Sequence, residues 1–196
     1  MKTKPRLVIA FAALILIITY FVPIWKIDLN APQYPEGLGL RIWLDEIGGI
    51  KPNDLQNING LNHYIGMKAI EPESIPELKI MPFIIAFMIF FGLVNAAIGK
   101  PILTKVWIVT FILIGIVGLI DFYLWGYDYG HNLDPSAPIK VPGMTYQPPL
   151  IGSKQLLNID AVSLPYTGGY IILAAIFLAA FSLYYNSKLL KTEKLK

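Results

Sequence analysis

The stretch VWIVTFILIGIVGLIDFYLW, residues 106–125, carries one acid, Asp121, and no base. A hydrocarbon core of about 30 Å needs about 20 apolar residues in a helix, so this stretch is long enough to cross a bilayer. Working outward, three further stretches meet or approach the same length. They are MPFIIAFMIFFGLVNAAI (81–98), LVIAFAALILIITYFVPIW (7–25) and GYIILAAIFLAAFSLYY (169–185). Tyr166, Tyr170, Tyr184 and Tyr185 flank the last and shortest of them as interfacial anchors. The chain as a whole is 55% hydrophobic and 15% charged. Ordinary soluble domains are roughly 45–50% apolar and about 25% charged, so a soluble globular enzyme is excluded. The expected fold is an all-α membrane protein with four transmembrane helices.

Lys2, Lys4 and Arg6 precede the first apolar run, as they would in a secretory signal. That run has no small-x-small cleavage pattern at its end, which favours a spanning helix. Basic residues then set the orientation. The N-terminal segment, the connector Gly99–Lys105 and the tail after Asn186 hold nine basic residues against Glu193 alone. The long connectors, 26–80 and 126–168, hold seven basic and eleven acidic residues. The expected location is therefore a bacterial inner (cytoplasmic) membrane, multi-pass, with both termini cytoplasmic. The basic face reads as topology and not as a nucleic-acid surface.

The two outer connectors hold eleven of the fifteen prolines, yet they keep many aromatic and aliphatic residues. A disordered linker would lack the latter. One membrane domain, 1–196, is expected, with the outer loops forming a cap of short helices and irregular segments. Two helices are drawn from the pattern in the first outer loop, the first of them lying flat on the outer leaflet or docked in the cap. Leu38–Ile47 places Leu40, Trp43, Leu44 and Ile47 on one face and stops at Gly48–Gly49. A second begins with Asn53 or Asp54 as N-cap, runs through Leu55, Ile58, Leu61 and Ile65 to about Ile70, and ends in the Pro72–Pro76 segment.

With no cysteine in the chain, disulfides, thiolate zinc sites, iron–sulfur clusters and thiol nucleophiles are excluded. There is no Gly-x-Ser-x-Gly elbow, phosphate loop or His-Glu-x-x-His motif. Both histidines, His63 and His131, lie in the outer loops. Asn59, His63 and Met67 are spaced to share one face of the second cap helix. With Met144 from the other loop, these imidazoles and thioethers make a donor set suited to copper(I). Structural histidines are the plainer reading. A haem held between His63 and His131 is a lesser one. Asp121 lies about one turn from the outer boundary, where an acid bonded to a neighbouring Tyr or Trp is expected.

The strings NINGLNHYIGMKAIEP (57–72) and DFYLWGYDYGHNLDPSAPIKVPGMTYQPPLIGSKQLLN (121–158) resemble a family of uncharacterised four-helix bacterial membrane proteins. That family is associated with accessory genes for nitrous oxide reductase, a periplasmic copper enzyme. The resemblance covers most of the chain. It implies a non-enzymatic accessory factor whose outer cap binds or delivers copper, or docks a copper chaperone or client enzyme. His63, Met67, His131 and Met144 would form the metal site. The alternatives are an electron-transfer or quinol-interacting subunit of a membrane complex, and a structural scaffold. The lipid bilayer is the one partner common to all of these.

Overall fold

The computed structural model describes residues 1–194. Four of its helices are long and apolar enough to cross a membrane. The first is α1, Thr3–Leu14, continued by a 3-10 helix over Ile15–Tyr20. The others are α3, Pro76–Ile98; α4, Pro101–His131; and α5, Thr167–Lys194. A shorter helix, α2, covers Asp54–Ile65 in the first connector. In the bundle α1 packs on α3 and α5, and α4 packs on α5 and α3.

Small residues let these helices approach closely, as is usual where lipid tails leave little hydrophobic drive for association. A side chain at Gly92 of α3 would lie 2.6 Å from Ala13 Cβ of α1 and 3.1 Å from the Trp107 indole nitrogen of α4. That nitrogen donates to the Met88 carbonyl at 2.8 Å. One end of the bundle is tied by polar contacts. Gly99, at φ 71°, ends α3, and Pro101 opens α4 two residues later. Arg6 Nε donates to the Ala96 carbonyl at 2.7 Å, and Lys2 pairs with Glu193 at 2.6 Å. The N-terminal segment, the short connector and the end of α5 thus meet at one end.

At the other end the structure departs from the expected all-α class. The protein is mixed α/β, because the two long connectors form one five-stranded antiparallel sheet in the order β3-β2-β1-β5-β4. Its strands are β1, Trp25–Ala31; β2, Tyr34–Ile42; β3, Ile47–Gly49; β4, Gly152–Leu156; and β5, Ile159–Pro165. The cap is therefore not made of short helices and irregular segments alone. The pairing of β1 with β5 joins the two connectors, with Trp25 opposite Pro165 and Ile27 opposite Ser163. Backbone bonds continue this union to the bundle, from Tyr166 N to Ile24 O (3.0 Å) and from Gly168 N to Pro23 O (2.8 Å).

Two boundaries move for the same reason. The first span ends at Tyr20 and not at Trp25, since the chain beyond Pro23 is already extended and Trp25 opens β1. The expected helix Leu38–Ile47 is instead the end of β2, a turn and the start of β3. The Trp43 amide closes that turn on the Glu46 carbonyl at 2.9 Å. The four apolar residues assigned to one helical face go to separate places. Leu40 and Ile47 enter the cap core, while Leu44 enters the bundle core beside Leu16 and Ile85. Trp43 is half-buried in the turn.

Candidate functional site: an apolar chamber in the cap

One face of the sheet carries Trp25, Ile27, Leu29, Leu38 and Leu40 in alternation, as a half-buried antiparallel sheet requires. This face packs on Ile58 of α2 and on Tyr129 near the end of α4. The opposite face carries Lys26, Asp28 and Arg41. Asp28 accepts from Lys26 and Arg41, each at 2.8 Å. Partial burial raises the Asp28 pKa, but the bonds from the two bases outweigh it and hold the carboxyl below the usual range.

Helix α2 is fixed at both ends by polar contacts that its sequence only partly advertises. Asp54 is buried, and its carboxylate accepts from Gly39 N (3.1 Å) and Lys51 N (3.2 Å), fastening the helix start to β2. Gly66, at φ 79°, ends the helix, well short of the expected limit near Ile70. The chain then turns back along α2. Asn59 brackets Ile70, donating to its carbonyl at 3.1 Å and accepting from its amide at 2.8 Å. Asn62 donates to the Lys68 carbonyl at 3.2 Å.

The second connector closes over this unit. Asp134 N donates to Gly66 O (2.8 Å), and Ile139 N donates to Tyr64 O (2.9 Å). Ser136 donates to the Asp134 carboxylate from its hydroxyl (2.6 Å) and its amide (2.7 Å), which lowers that carboxyl's pKa. Further on, Tyr146 N donates to Gly130 O at 3.0 Å. Gly130 is required there, because a Cβ would lie 2.3 Å from the Gln147 nitrogen. The absent side chain on α4 allows the irregular segment around Tyr146 and Gln147 to lie against the helix, and Tyr146 is buried there.

These elements enclose a cavity of about 310 Å³ between the sheet, α2, the end of α4 and the second connector. Its walls are mostly aliphatic and aromatic. Trp125 and Tyr129 form one wall with ring centroids 4.2 Å apart. The hairpin turn at Leu157 and Asn158 forms part of the rim, and Leu157 sits there at φ 56°, a costly conformation for a branched residue. The Tyr129 hydroxyl is satisfied by the Ala69 carbonyl at 3.1 Å. Tyr146 is 2% exposed and lines the cavity, and its hydroxyl has no hydrogen-bond partner among the described residues.

Of the four sequence-selected donors, Met67 alone lines this chamber. Met67 lies beyond the end of α2 and lines the cavity, so it does not continue the helical face of Asn59 and His63. His63 is exposed on α2 beside Tyr64. His131 ends α4 with its ring stacked on Tyr127 at 3.8 Å and Nδ1 3.0 Å from the Tyr127 carbonyl. A carbonyl only accepts, so Nδ1 is the donor in this contact, and in the neutral ring Nε2 is then the nitrogen with a lone pair. Met144 is half-buried in the turn it closes with Val141. His63, His131 and Met144 are not part of the cavity wall. Among the described residues no three His, Asp or Glu side chains gather as they would around a metal ion.

The chain matches no protein-family model and no curated protein. The chamber therefore stands on its own geometry. Trp125 and Tyr129 belong to the aromatic run Phe122–Tyr129 near the end of α4, and Tyr146 to the proline-rich segment that follows that helix.

Proposed function

We propose that this chain is a multi-pass protein of a bacterial inner membrane, with both termini cytoplasmic, acting as a non-enzymatic accessory factor through its outer cap. Four apolar helices, the nine basic residues that the sequence holds in its N-terminal segment, short connector and C-terminal tail, and an acidic balance in the long connectors support the placement. The observation that carries the binding role is the chamber of about 310 Å³ built into the cap. That size falls at the lower end of small-molecule pockets, about 300–1,000 Å³, and such pockets are mostly apolar with a few polar groups. The interleaved sheet supports the role, since it holds the chamber walls on a rigid frame fixed to the helices.

The absence of cysteine makes the topology easy to test. Ser153→Cys in the cap and Ser187→Cys near the end of α5 give single labelling sites on an otherwise thiol-free chain. A membrane-impermeant maleimide applied to spheroplasts is expected to label position 153 and to reach 187 only after lysis. The reverse pattern would overturn the placement.

A copper-handling form of the same role draws on the soft donors and on the resemblance to the nitrous oxide reductase accessory family. Its ligands would be His131 through Nε2 and His63, with Met144 and Met67. Titration of the purified chain with copper(I) against a chromophoric chelator tests it. One tight equivalent that disappears when His63 and His131 are both changed to Ala supports this form. Binding that survives the double change, or no binding, removes it and leaves the chamber's role in place.

A further inference from the structure

We infer that the cap chamber takes a neutral aromatic molecule with one hydrogen-bond donor, a hydroxyl or a ring N–H, and that Asn62 Oδ1 accepts from it; this ligand class rests on the binding role proposed above for the chamber. None of the residues that line the chamber is charged at neutral pH. A bound ammonium or carboxylate would lose its hydration there with no counter-charge, so the occupant is neutral. Tyr34, Tyr64, Trp125, Tyr129 and Tyr146 all stand in the wall, among aliphatic side chains such as Ile58. Contacts between rings gain more than the burial of area alone, which favours an aromatic occupant. The cavity of about 310 Å³ is roughly twice the size of an apolar protein cavity of about 150 Å³ that takes up benzene, so two fused rings fit.

Asn62, Tyr129 and Tyr146 are the buried side chains of the wall that carry a nitrogen or oxygen. The Tyr129 hydroxyl is bonded to the Ala69 carbonyl, and the Tyr146 hydroxyl is closed off by the packing around it. Asn62 differs from both. It is 7% exposed, and its Nδ2 donates to the Lys68 carbonyl at 3.2 Å. Its Oδ1 accepts from no donor among the described residues, yet unlike the Tyr146 oxygen it retains accessible surface. An acceptor left open in an apolar wall is costly, and an O–H or N–H of the occupant removes that cost without adding charge. Access is from the aqueous side of the cap. Tyr64 and Ile139, joined by a backbone bond, line the chamber and are 54% and 46% exposed, as is Leu157 of the hairpin turn at 37%. These three residues set the mouth.

The test is equilibrium dialysis of the full chain in dodecyl maltoside against a matched solution of empty micelles, so that only binding to the protein produces an excess. The probes are 1-naphthol and indole, which carry the donor; 1-methylnaphthalene, which keeps the rings and lacks it; and decahydro-1-naphthol, which keeps the hydroxyl and lacks the aromatic rings. One saturable equivalent is expected with 1-naphthol or indole, and the tighter of the two tells whether the donor is O–H or N–H. Binding of 1-methylnaphthalene should be weaker than that of 1-naphthol by roughly fivefold, the factor supplied by one ordinary hydrogen bond. Decahydro-1-naphthol should also bind more weakly than 1-naphthol. Asn62→Leu should bring 1-naphthol down to the level of 1-methylnaphthalene; if that variant does not fold, the comparison of probes on the wild type decides alone. Equal binding of 1-naphthol and 1-methylnaphthalene, or a difference that survives Asn62→Leu, would overturn the assignment of Asn62 and leave the chamber's binding role standing. Equal or tighter binding of decahydro-1-naphthol would overturn the aromatic class. No saturable excess with any probe would overturn the ligand class and the binding role together. All of these are distinct from a failed topology, which the maleimide pattern reads independently.

Discussion

The bundle and the cap use the same apolar residues in opposite ways. On α3 and α5, Phe83, Phe90 and Phe177 are between 67% and 75% exposed, while the interior holds Gly92, Ala175 and Ala179 with a few large side chains. In the cap, Leu38, Leu40 and Ile58 are each 3% exposed, and charges such as Lys26 and Arg41 occupy the other face of the sheet. The cap is built as a soluble domain is built, with apolar groups inside because water surrounds it. The bundle is arranged for a surrounding that is itself apolar, so its large side chains face outward and small ones bring the helices together. A residue's burial therefore means different things in the two halves.

Reciprocal substitutions put this difference under the heaviest load. Leu38→Ala in the cap core should cost about 2–5 kcal/mol in denaturant unfolding. Phe90→Ala on the outer face of α3 should stay within about 0.5 kcal/mol. Phe90→Arg, by contrast, should cost about 3 kcal/mol in membrane insertion, which reduced membrane-fraction yield reports. Equal effects of Leu38→Ala and Phe90→Ala would break the comparison.

Closure of the cap onto the bundle gives the next effect. Gly130→Val forces a side chain into the Gln147 backbone and should destabilise by about 1–3 kcal/mol. Protease cleavage should appear first between Asn132 and Gly152, because that connector loses its seat on α4. Cleavage elsewhere would mean that Gly130 does not fasten the two halves.

Inside the bundle, Asn95 donates to Thr104 Oγ1 at 3.0 Å, with both side chains fully buried. Thr104→Val leaves the Asn95 amide without this partner and should cost about 1–2 kcal/mol, as interhelical hydrogen bonds in membranes do. The smallest effect concerns acid. The folded-state pKa of Asp28 is depressed, so its contribution is present above the unfolded value of about 4 and is lost as pH falls through the lower folded value. Melting temperature should fall on acidification below about pH 4, and Asp28→Asn should flatten that part of the profile.

The four long helices were legible because a bilayer imposes length and polarity on any continuous segment, and residues 81–98 and 106–125 meet both conditions without outside help. The sheet left a signal too. Trp25, Ile27 and Leu29 alternate with Lys26, Asp28 and Asn30, a strand pattern that was absorbed into the end of the first span and the loop after it. Over 38–47 the same residues satisfy both periods. Leu40, Trp43, Leu44 and Ile47 fit a helix, and Leu38, Leu40 and Ile42 fit a strand; pairing with β1 chose the strand. Gly39 disfavours a helix there without favouring a strand. Asn59 likewise looked like one corner of a helical ligand face, whereas its amide is committed to Ile70 across a turn.

By itself the sequence determined the four apolar helices, the charge difference between their ends, and the restriction of any donor set to His, Met and oxygen. Those properties are local or additive, so they survive without knowledge of what touches what. Tertiary structure decided the sheet, the end of α2 at Gly66 and the chamber. Each depends on pairing segments far apart in the chain: β1 with β5 across more than a hundred residues, Gly66 with Asp134, and Gly130 with Tyr146. Tyr146, too, is taken away from water by those pairings and not by its place in the sequence.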